Sequence, residues 1–351
     1  MNSLLFSPLK IRQLTLKNRI VVSPMCQYSA KNGVPDFWHM VHLGSRAVGG
    51  AALIFSEATS VSPEGRITDG DLGIWNTEQV KAFQQINEFI KAQGAIPAIQ
   101  LSHAGRKGST RVAWKKNQSY EQWVPWAPSA IKFDSTSPQP KEMTIEDMDL
   151  VSKQFESATA NALTAGFEVV EIHMAHGYLL NEFLSPLTNF RTDEYGGSLV
   201  NRMRFPLQIA KLIRTQWPEK WPVFVRISAT DWVEGGWTID DSVLFSKKLK
   251  KLGIDLMDCS SGGSVPHAKI TSGPGYQVSF SDEIRKKADI ATGAVGLISG
   301  AQQAEDILMQ GKADLVFLAR ELLRDPYWPL HAAKSLGIDI PWPDQYARAK
   351  S

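Results

Sequence analysis

Short apolar, β-branched runs alternate along this chain with longer segments of helical period, the signature of a parallel sheet joined by crossover helices. Eight such runs stand out: 20–25 (IVVSPM), 52–58 (ALIFSEA), 96–103 (IPAIQLSH), 169–176 (VVEIHMAH), 223–229 (VFVRISA), 256–261 (LMDCSS), 294–300 (AVGLISG) and 315–320 (LVFLAR). Most are apolar at consecutive positions, as strands covered on both faces require, and all but the first follow a helical stretch such as 78–93 or 238–252. Gly94, Gly166, Gly253 and Gly311 stand ahead of later runs where helix C-caps belong. The pattern predicts an α/β fold, a single (β/α)8 TIM barrel that takes residues 1–351 as one domain. Ahead of the first strand, LFSPLKIRQLTLKNR alternates and reads as an N-terminal β-hairpin plugging the barrel bottom. The stretch 104–143, rich in Trp, Pro, Ser and Lys, has no clear period. It reads as an extended excursion after strand 3 that covers the active-site mouth, with a floppy surface loop as the alternative.

Length alone allows two average domains, but no linker, low-complexity tract or long repeat divides the 351 residues. Lys+Arg 38 against Asp+Glu 36 leaves a net charge of +2, which generates no field for nucleic acid or an anionic membrane. A small-molecule partner follows. The first residues, MNSLLFSPLKI, lack a basic start followed by an apolar stretch, and no later run approaches the ~20 apolar residues of a spanning helix. A cytoplasmic protein with no membrane segment is expected. Only Cys26 and Cys259 occur, too few for a disulfide framework or a four-thiolate cluster, so at least one thiol is free to have a role.

In a barrel of this kind the C-terminal strand ends face the active site, and polar residues crowd there. His173-Met174-Ala175-His176-Gly177-Tyr178 ends the fourth strand. Two imidazoles and a phenol can hydrogen-bond a substrate oxygen and supply a proton, which suits a reaction that builds negative charge on an enolate. The competing readings are a metal site, which lacks an evident third ligand, and two satisfied structural histidines. Arg226 ends an apolar strand, where its charge must meet either a buried carboxylate or an anionic or polar ligand. Gln100 can read the donor–acceptor edge of a flat heterocycle. Ser299-Gly300 and Ala319-Arg320 follow the seventh and eighth strands, where barrels often hold a ligand phosphate; Gly300 permits close backbone approach and Arg320 offers a fork of donors. Cys26 is either a small hydrophobe or a thiol beside a redox cofactor, and Tyr28 either packs or binds.

With HMAHGY, the run Leu184-Ser185-Pro186-Leu187-Thr188-Asn189-Phe190-Arg191-Thr192-Asp193-Glu194-Tyr195-Gly196-Gly197-Ser198, and Asn201-Arg202 beyond it, the chain resembles the old yellow enzyme family of flavin-dependent ene-reductases. Ser198 is in addition a good N-cap for the next helix. The resemblance extends from SPLKIRQLTLKNRIVVSPMCQYS through HAGRK (103–107) to FLARELLRDPYWP (317–329), essentially the whole chain. Cys26, Tyr28 and a histidine at 176 look like the thermophilic-type branch.

The resemblance implies non-covalent FMN at the barrel top, surrounded by Pro24, Met25, Cys26, Ser60, Gln100, Arg226, Gly300, Ala319 and Arg320. Ser60 and Ala319 depart from the branch, which more often has Ala and Gly there. It further implies an NAD(P)H oxidoreductase, with NADPH preferred over NADH, that reduces the activated C=C bond of unsaturated aldehydes, ketones, maleimides or nitro-compounds by ping-pong hydride transfer. His173 and His176 would bind the substrate oxygen, Tyr178 would protonate the α-carbon, Tyr28 would line the substrate pocket, and Cys26 would tune the flavin potential. No metal is implied. The segment Pro343-Asp344-Gln345-Tyr346-Ala347-Arg348 resembles a tail that carries an arginine into a neighbouring subunit's site, so the tail 337–351 is expected at the interface of a homodimer or homotetramer, with Arg348 as the finger. Two rivals remain at this stage. A larger iron–sulfur relative such as a dienoyl-CoA reductase needs more chain and more cysteines, and a flavin-free phosphate-binding TIM-barrel lyase or isomerase would use the last two strands alone.

Overall fold

The computed structural model describes residues 3–350. It opens with an antiparallel hairpin, β1 (Leu9–Ile11) and β2 (Leu14–Leu16), turned at Arg12 with φ 53°. Eight parallel strands then close on themselves: β3 (Ile20–Val22), β4 (Leu53–Ser60), β5 (Ile96–Ser102), β8 (Val169–Met174), β9 (Val223–Ser228), β10 (Leu256–Ser260), β11 (Ala291–Ala294) and β12 (Leu315–Leu318). The two short strands between, β6 (Trp126–Ala127) and β7 (Lys141–Glu142), pair with each other inside the excursion. Helices α1 (Phe37–Val48), α2 (Thr77–Ala92), α3 (Ile145–Thr164), α5 (Leu199–Gln216), α6 (Ile239–Lys251), α7 (Val278–Ala288) and α8 (Ala301–Met309) form the outer layer. Three shorter ones, α4 (Leu179–Leu184), α9 (Arg320–Arg324) and α10 (Trp328–Ser335), follow β8 and β12.

Local chemistry sets the helix limits. Asn76 with Gln79, Thr144 with Asp147, and Thr238 with Asp241 form reciprocal capping boxes at the starts of α2, α3 and α6, and Ser198 caps α5 through the Asn201 amide. At the other ends Gly94, Gly166, Gly253 and Gly311 take φ between 65° and 88°, the left-handed turn that lets the chain leave the helix and enter the next strand. No helix among the described residues is long and apolar enough to cross a membrane.

The barrel bottom is packed shut. Phe55 of β4 lies 6.3 Å from the Phe224 ring and 6.0 Å from the Phe317 ring, and Leu16 of the hairpin joins the same cluster with Leu9, Ile11 and Leu14 against it. The hairpin therefore plugs the barrel as its alternation implies. Ligands can enter only from the opposite end.

One strand departs from the sequence pattern. The seventh is Ala291–Ala294, not 294–300, and the apolar residues Val295 to Ile298 form the loop that follows, turned by Gly296 at φ 119° and Leu297 at φ 51°. The cause is packing: a Cβ on Gly293 would lie 2.2 Å from Phe317, so the strand must be built from small residues and loses its hydrophobic signal. Ser299 and Gly300 consequently belong to the loop and to the cap of α8. The first and eighth strands are also shorter than the apolar runs, ending at Val22 and Leu318.

The excursion lies across the open end. Trp126 stacks on His103 at 6.3 Å, Phe133 sits 4.5 Å from the Lys107 ammonium, and Trp114 meets Tyr28 at 5.8 Å. These contacts make it a cover.

Gly293→Ala should lower stability by about 1–3 kcal/mol, the usual cost of overpacking a tight core. A double variant with Phe317→Leu should recover most of it. Chemical denaturation of the two variants measures both, and equal losses would contradict the packing explanation of β11.

Candidate active site

A polar layer crosses the barrel above the phenylalanines. Register places Gln100 beside Glu171, and Arg226 between His173 and Asp258. The Gln100 side-chain amide donates to Glu171 Oε1 at 2.8 Å, and Arg226 Nε lies 3.1 Å from Asp258 Oδ2 while its Nη1 donates to Ser23 Oγ at 3.2 Å. Burial raises the Asp258 carboxyl to about 6 against the pull of Arg226, and it raises Glu171 well above the usual range, helped by the neighbouring Asp258 charge. At neutral pH Asp258 is thus the ionised partner of Arg226, and Glu171 is the protonated one. Arg226 is thus paired with a buried carboxylate, and it also lines a cavity.

His173 and His176 end the same layer, their rings 5.2 Å apart and perpendicular; the Tyr178 ring stands 4.9 Å from that of His173. The Ala175 amide donates to His173 Nδ1 at 3.3 Å, which puts the ring proton on Nε2 as a free donor. His176 sits at φ 62° and its Nε2 is 2.7 Å from Ser260 Oγ. Ser260 is 3.4 Å from its other acceptor, Gln277 Oε1. A Ser260 hydroxyl that donates to Nε2 would leave the His176 proton on Nδ1; one that donates to Gln277 would instead receive the Nε2 proton. Burial, with Arg226 and Lys107 adding positive potential, pushes both imidazoles well below their ordinary 6.5. Burial pushes the Tyr178 phenol well up, with the Asp71 charge adding to the rise and Arg226 opposing it. The site holds three neutral donors. Among the described residues no cluster of three His, Cys, Asp or Glu side chains forms around them.

The loop after β3 forms the next wall. Pro24, Met25, Cys26 and Tyr28 are half-buried, Tyr28 turning at φ 48°. The Cys26 and Tyr28 side chains hydrogen-bond each other, and burial, then the Glu57 charge, keeps Cys26 a thiol. Ser60, at the end of β4, donates its hydroxyl to the Ser62 carbonyl at 2.7 Å and so presents little polarity to a ligand.

A cavity of 350 Å3 opens between the loops after β10, β11 and β12, lined among others by Arg226, Gln277, Ser299, Ala319, Arg320 and Arg324. Gly300 caps α8 with no side-chain acceptor on the first amides. Ala319 has a negative φ of −106°, so no left-handed turn there requires glycine. These features fit flavin mononucleotide. Free helix-start amides, Arg320 and a backbone unobstructed at Gly300 suit a phosphate. Gln100, with its amide nitrogen already bound to Glu171, has its side-chain oxygen left to accept from a ring N–H. Arg226 would supply positive charge to a heterocycle bound there.

Arg348 is not brought to this mouth. It lies exposed in the turn Asp344–Ala349, and the tail packs beside Lys17, Asn18 and Gly94 at the strand starts, lining a 550 Å3 cavity with Trp342. Sequence reasoning also missed Lys107, which donates to the carbonyls of His176 at 2.8 Å and Gly263 at 3.2 Å, with its ammonium 5.3 Å from the Tyr178 ring. Its place directly after β5 was the available signal.

Comparison with known proteins follows the same lines. The model of the NADH:flavin oxidoreductase / NADH oxidase family matches residues 4–338. The chain is 50% identical over 346 residues to an NADPH dehydrogenase of Bacillus subtilis (strain 168), covering 98% of each. It superposes on an old yellow enzyme homologue from Zymomonas mobilis with TM-score 0.78 at 26% identity, covering 99% of this chain and 96% of that one. It also matches a 2-naphthoyl-CoA reductase with TM-score 0.86 at 26% identity, over 95% of this chain but only 52% of that one, so it spans about half of that larger protein.

Because the folded chain refuses protons that the unfolded chain binds near 6.5, the histidines' contribution to stability is complete above that pH and falls as the pH drops below it. His42 and His103, lowered by burial to about 3 and about 4, act in the same direction. Histidine-selective ¹⁵N NMR should show His173 and His176 neutral through pH 6.5, with signals assigned by His173→Gln and His176→Gln. Titration of either ring at its ordinary value would contradict the assigned donors.

Proposed function

The chain belongs to the NADH:flavin oxidoreductase / NADH oxidase family, and from that premise we propose that this FMN-dependent NADPH dehydrogenase reduces the activated C=C bond of α,β-unsaturated aldehydes, ketones, maleimides or nitro-compounds. The two half-reactions share one site in ping-pong order. The observation that carries the proposal is the set of neutral donors His173, His176 and Tyr178 at a single mouth, beside a cavity suited to a phosphate. When bound, FMN would supply the two-electron carrier between NADPH and the β-carbon of the alkene. Membership of this family removes the flavin-free lyase or isomerase alternative.

The chain's own residues do the rest. His173 Nε2–H and His176, in the tautomer protonated on Nδ1, donate to the substrate oxygen and draw electron density from the β-carbon, and because both rings are neutral they stabilise developing charge without giving up a full proton. Tyr178 delivers its phenolic proton to the α-carbon; its raised pKa keeps that proton in place until a carbanion-like centre forms. Ser260 and Lys107 position His176, one through the ring and one through the backbone carbonyl. Tyr28 closes the pocket side. Pro24, Met25, Cys26, Ser60 and Gln100 border the heterocycle, Arg226 balances its negative charge, and Gly300, Ala319 and Arg320 hold the phosphate.

The assembly is proposed to be a homodimer or homotetramer in which Arg348 serves a neighbour. Its exposure, its distance from its own mouth, and the exposed Phe37, Trp38 and Val41 on α1 support this reading.

His173→Ala should retain FMN and its reduction by NADPH while slowing reoxidation by an enone about 10²–10³-fold, the usual effect of losing one oxyanion donor. Rapid mixing separates the two steps, and an unchanged enone step would remove His173 from the mechanism. Deleting residues 343–351 should lower the oligomeric mass in light scattering and weaken enone binding. If neither changes, the tail has no role at a neighbouring site.

A further inference from the structure

The excursion brings a cationic run and an exposed indole to the rim of the site. From Ala104 to Tyr120 it contains Arg106, Lys107, Arg111, Lys115 and Lys116 and no carboxylate. The next acid, Glu121, is paired with Arg66 at 2.8 Å. Arg106 and Lys107 are committed inward, to the carbonyls of Ser264, His176 and Gly263. Arg111, Lys115 and Lys116 form no ion pair among the described residues. Arg111 and Lys116 are exposed and Lys115 is half-buried.

Two of these groups are held in place rather than free to wander. The Arg111 guanidinium stacks 4.9 Å from the Tyr120 ring centre and donates to the Lys116 carbonyl, which leaves its remaining donors outward. Trp114 rests against Tyr28 with ring centres 5.8 Å apart, anchored by the buried Val112 two residues earlier, yet 62% of it is exposed. A large aromatic face left in water beside an active site, flanked by unpaired cations, matches a ligand that is flat at one end and polyanionic in the middle.

We propose that Trp114, Arg111, Lys115 and Lys116 form the binding site for the adenosine half of NADPH, with the indole stacking on adenine and the cations holding the 2′-phosphate and pyrophosphate. This rests on NADPH as the reductant. A phosphomonoester carries about −1.5 to −2 charge near neutral pH, and a preorganised guanidinium binds it through paired, charge-assisted bonds. The arrangement gives the barrel a way to prefer NADPH over NADH without a glycine-rich dinucleotide loop. It also ties the lid to turnover, since a nucleotide seated on Trp114 must leave before substrate passes Tyr28.

The test uses the holoenzyme. Tryptophan fluorescence is titrated with 2′,5′-ADP and with 5′-AMP, and the Kd of NADPH and NADH is taken from the saturation of anaerobic flavin reduction. The triple variant Arg111→Gln, Lys115→Gln, Lys116→Gln should raise the Kd of NADPH about tenfold, which is 1.4 kcal/mol, and that of NADH by less, at an unchanged limiting rate. Trp114→Ala should weaken both nucleotides and abolish most of the quenching by 2′,5′-ADP; Trp114→Phe should restore binding. Unaltered NADPH affinity in the triple variant would overturn the proposal. So would a Trp114→Ala variant that changes only enone affinity, which would make Trp114 a substrate cover. A wild-type flavin that neither nucleotide reduces would instead overturn the reading of NADPH as reductant, a result separable from the other two.

Discussion

A guanidinium inside a closed barrel is the constraint on which the rest of this site depends. Burying the Arg226 charge without a partner would be strongly destabilising, and Asp258 on the neighbouring strand meets it at 3.1 Å. The pair leaves its positive potential directed at the mouth. That potential adds to burial in holding His173 and His176 neutral, and it opposes the rise of the Tyr178 pKa. Glu171, next along, is driven protonated by the same layer and fixes the Gln100 amide. Burial sets the protonation of these groups, and the ion pair's potential adjusts it.

The second theme is rigidity. Gly177 has φ 74°, and a Cβ there would strike the Gly263 carbonyl, while a Cβ on Gly263 would strike the His176 backbone. The two loops interlock where only glycine fits, and Lys107 staples them through both carbonyls. A mechanism built on directed hydrogen bonds requires this, because a donor displaced by an ångström loses most of its effect.

Much of the architecture was readable in the chain. Consecutive apolar positions marked seven of the eight barrel strands, glycines after helices gave the turns, and the alternating start foretold the hairpin that closes the bottom. The failure at β11 has a specific cause, since its small residues make room for Phe317, three positions into a later strand. In the site, His173, His176 and Tyr178 were legible because three chemically active residues fall within six positions. Glu171 and Asp258 were not, because a carboxylate in an apolar run acquires meaning only from its neighbour across the sheet, and that register is non-local. Likewise Ser260 matters through a contact with a residue 84 positions away.

The central claim, that these neutral donors serve flavin-mediated reduction of an activated alkene, is tested most directly by anaerobic spectral titration of the purified protein with NADPH and then 2-cyclohexenone. A yellow protein that bleaches with NADPH and regains its colour with the enone is the predicted result. A yellow protein that bleaches but that the enone cannot reoxidise, or a colourless one that FMN cannot reconstitute, would contradict it.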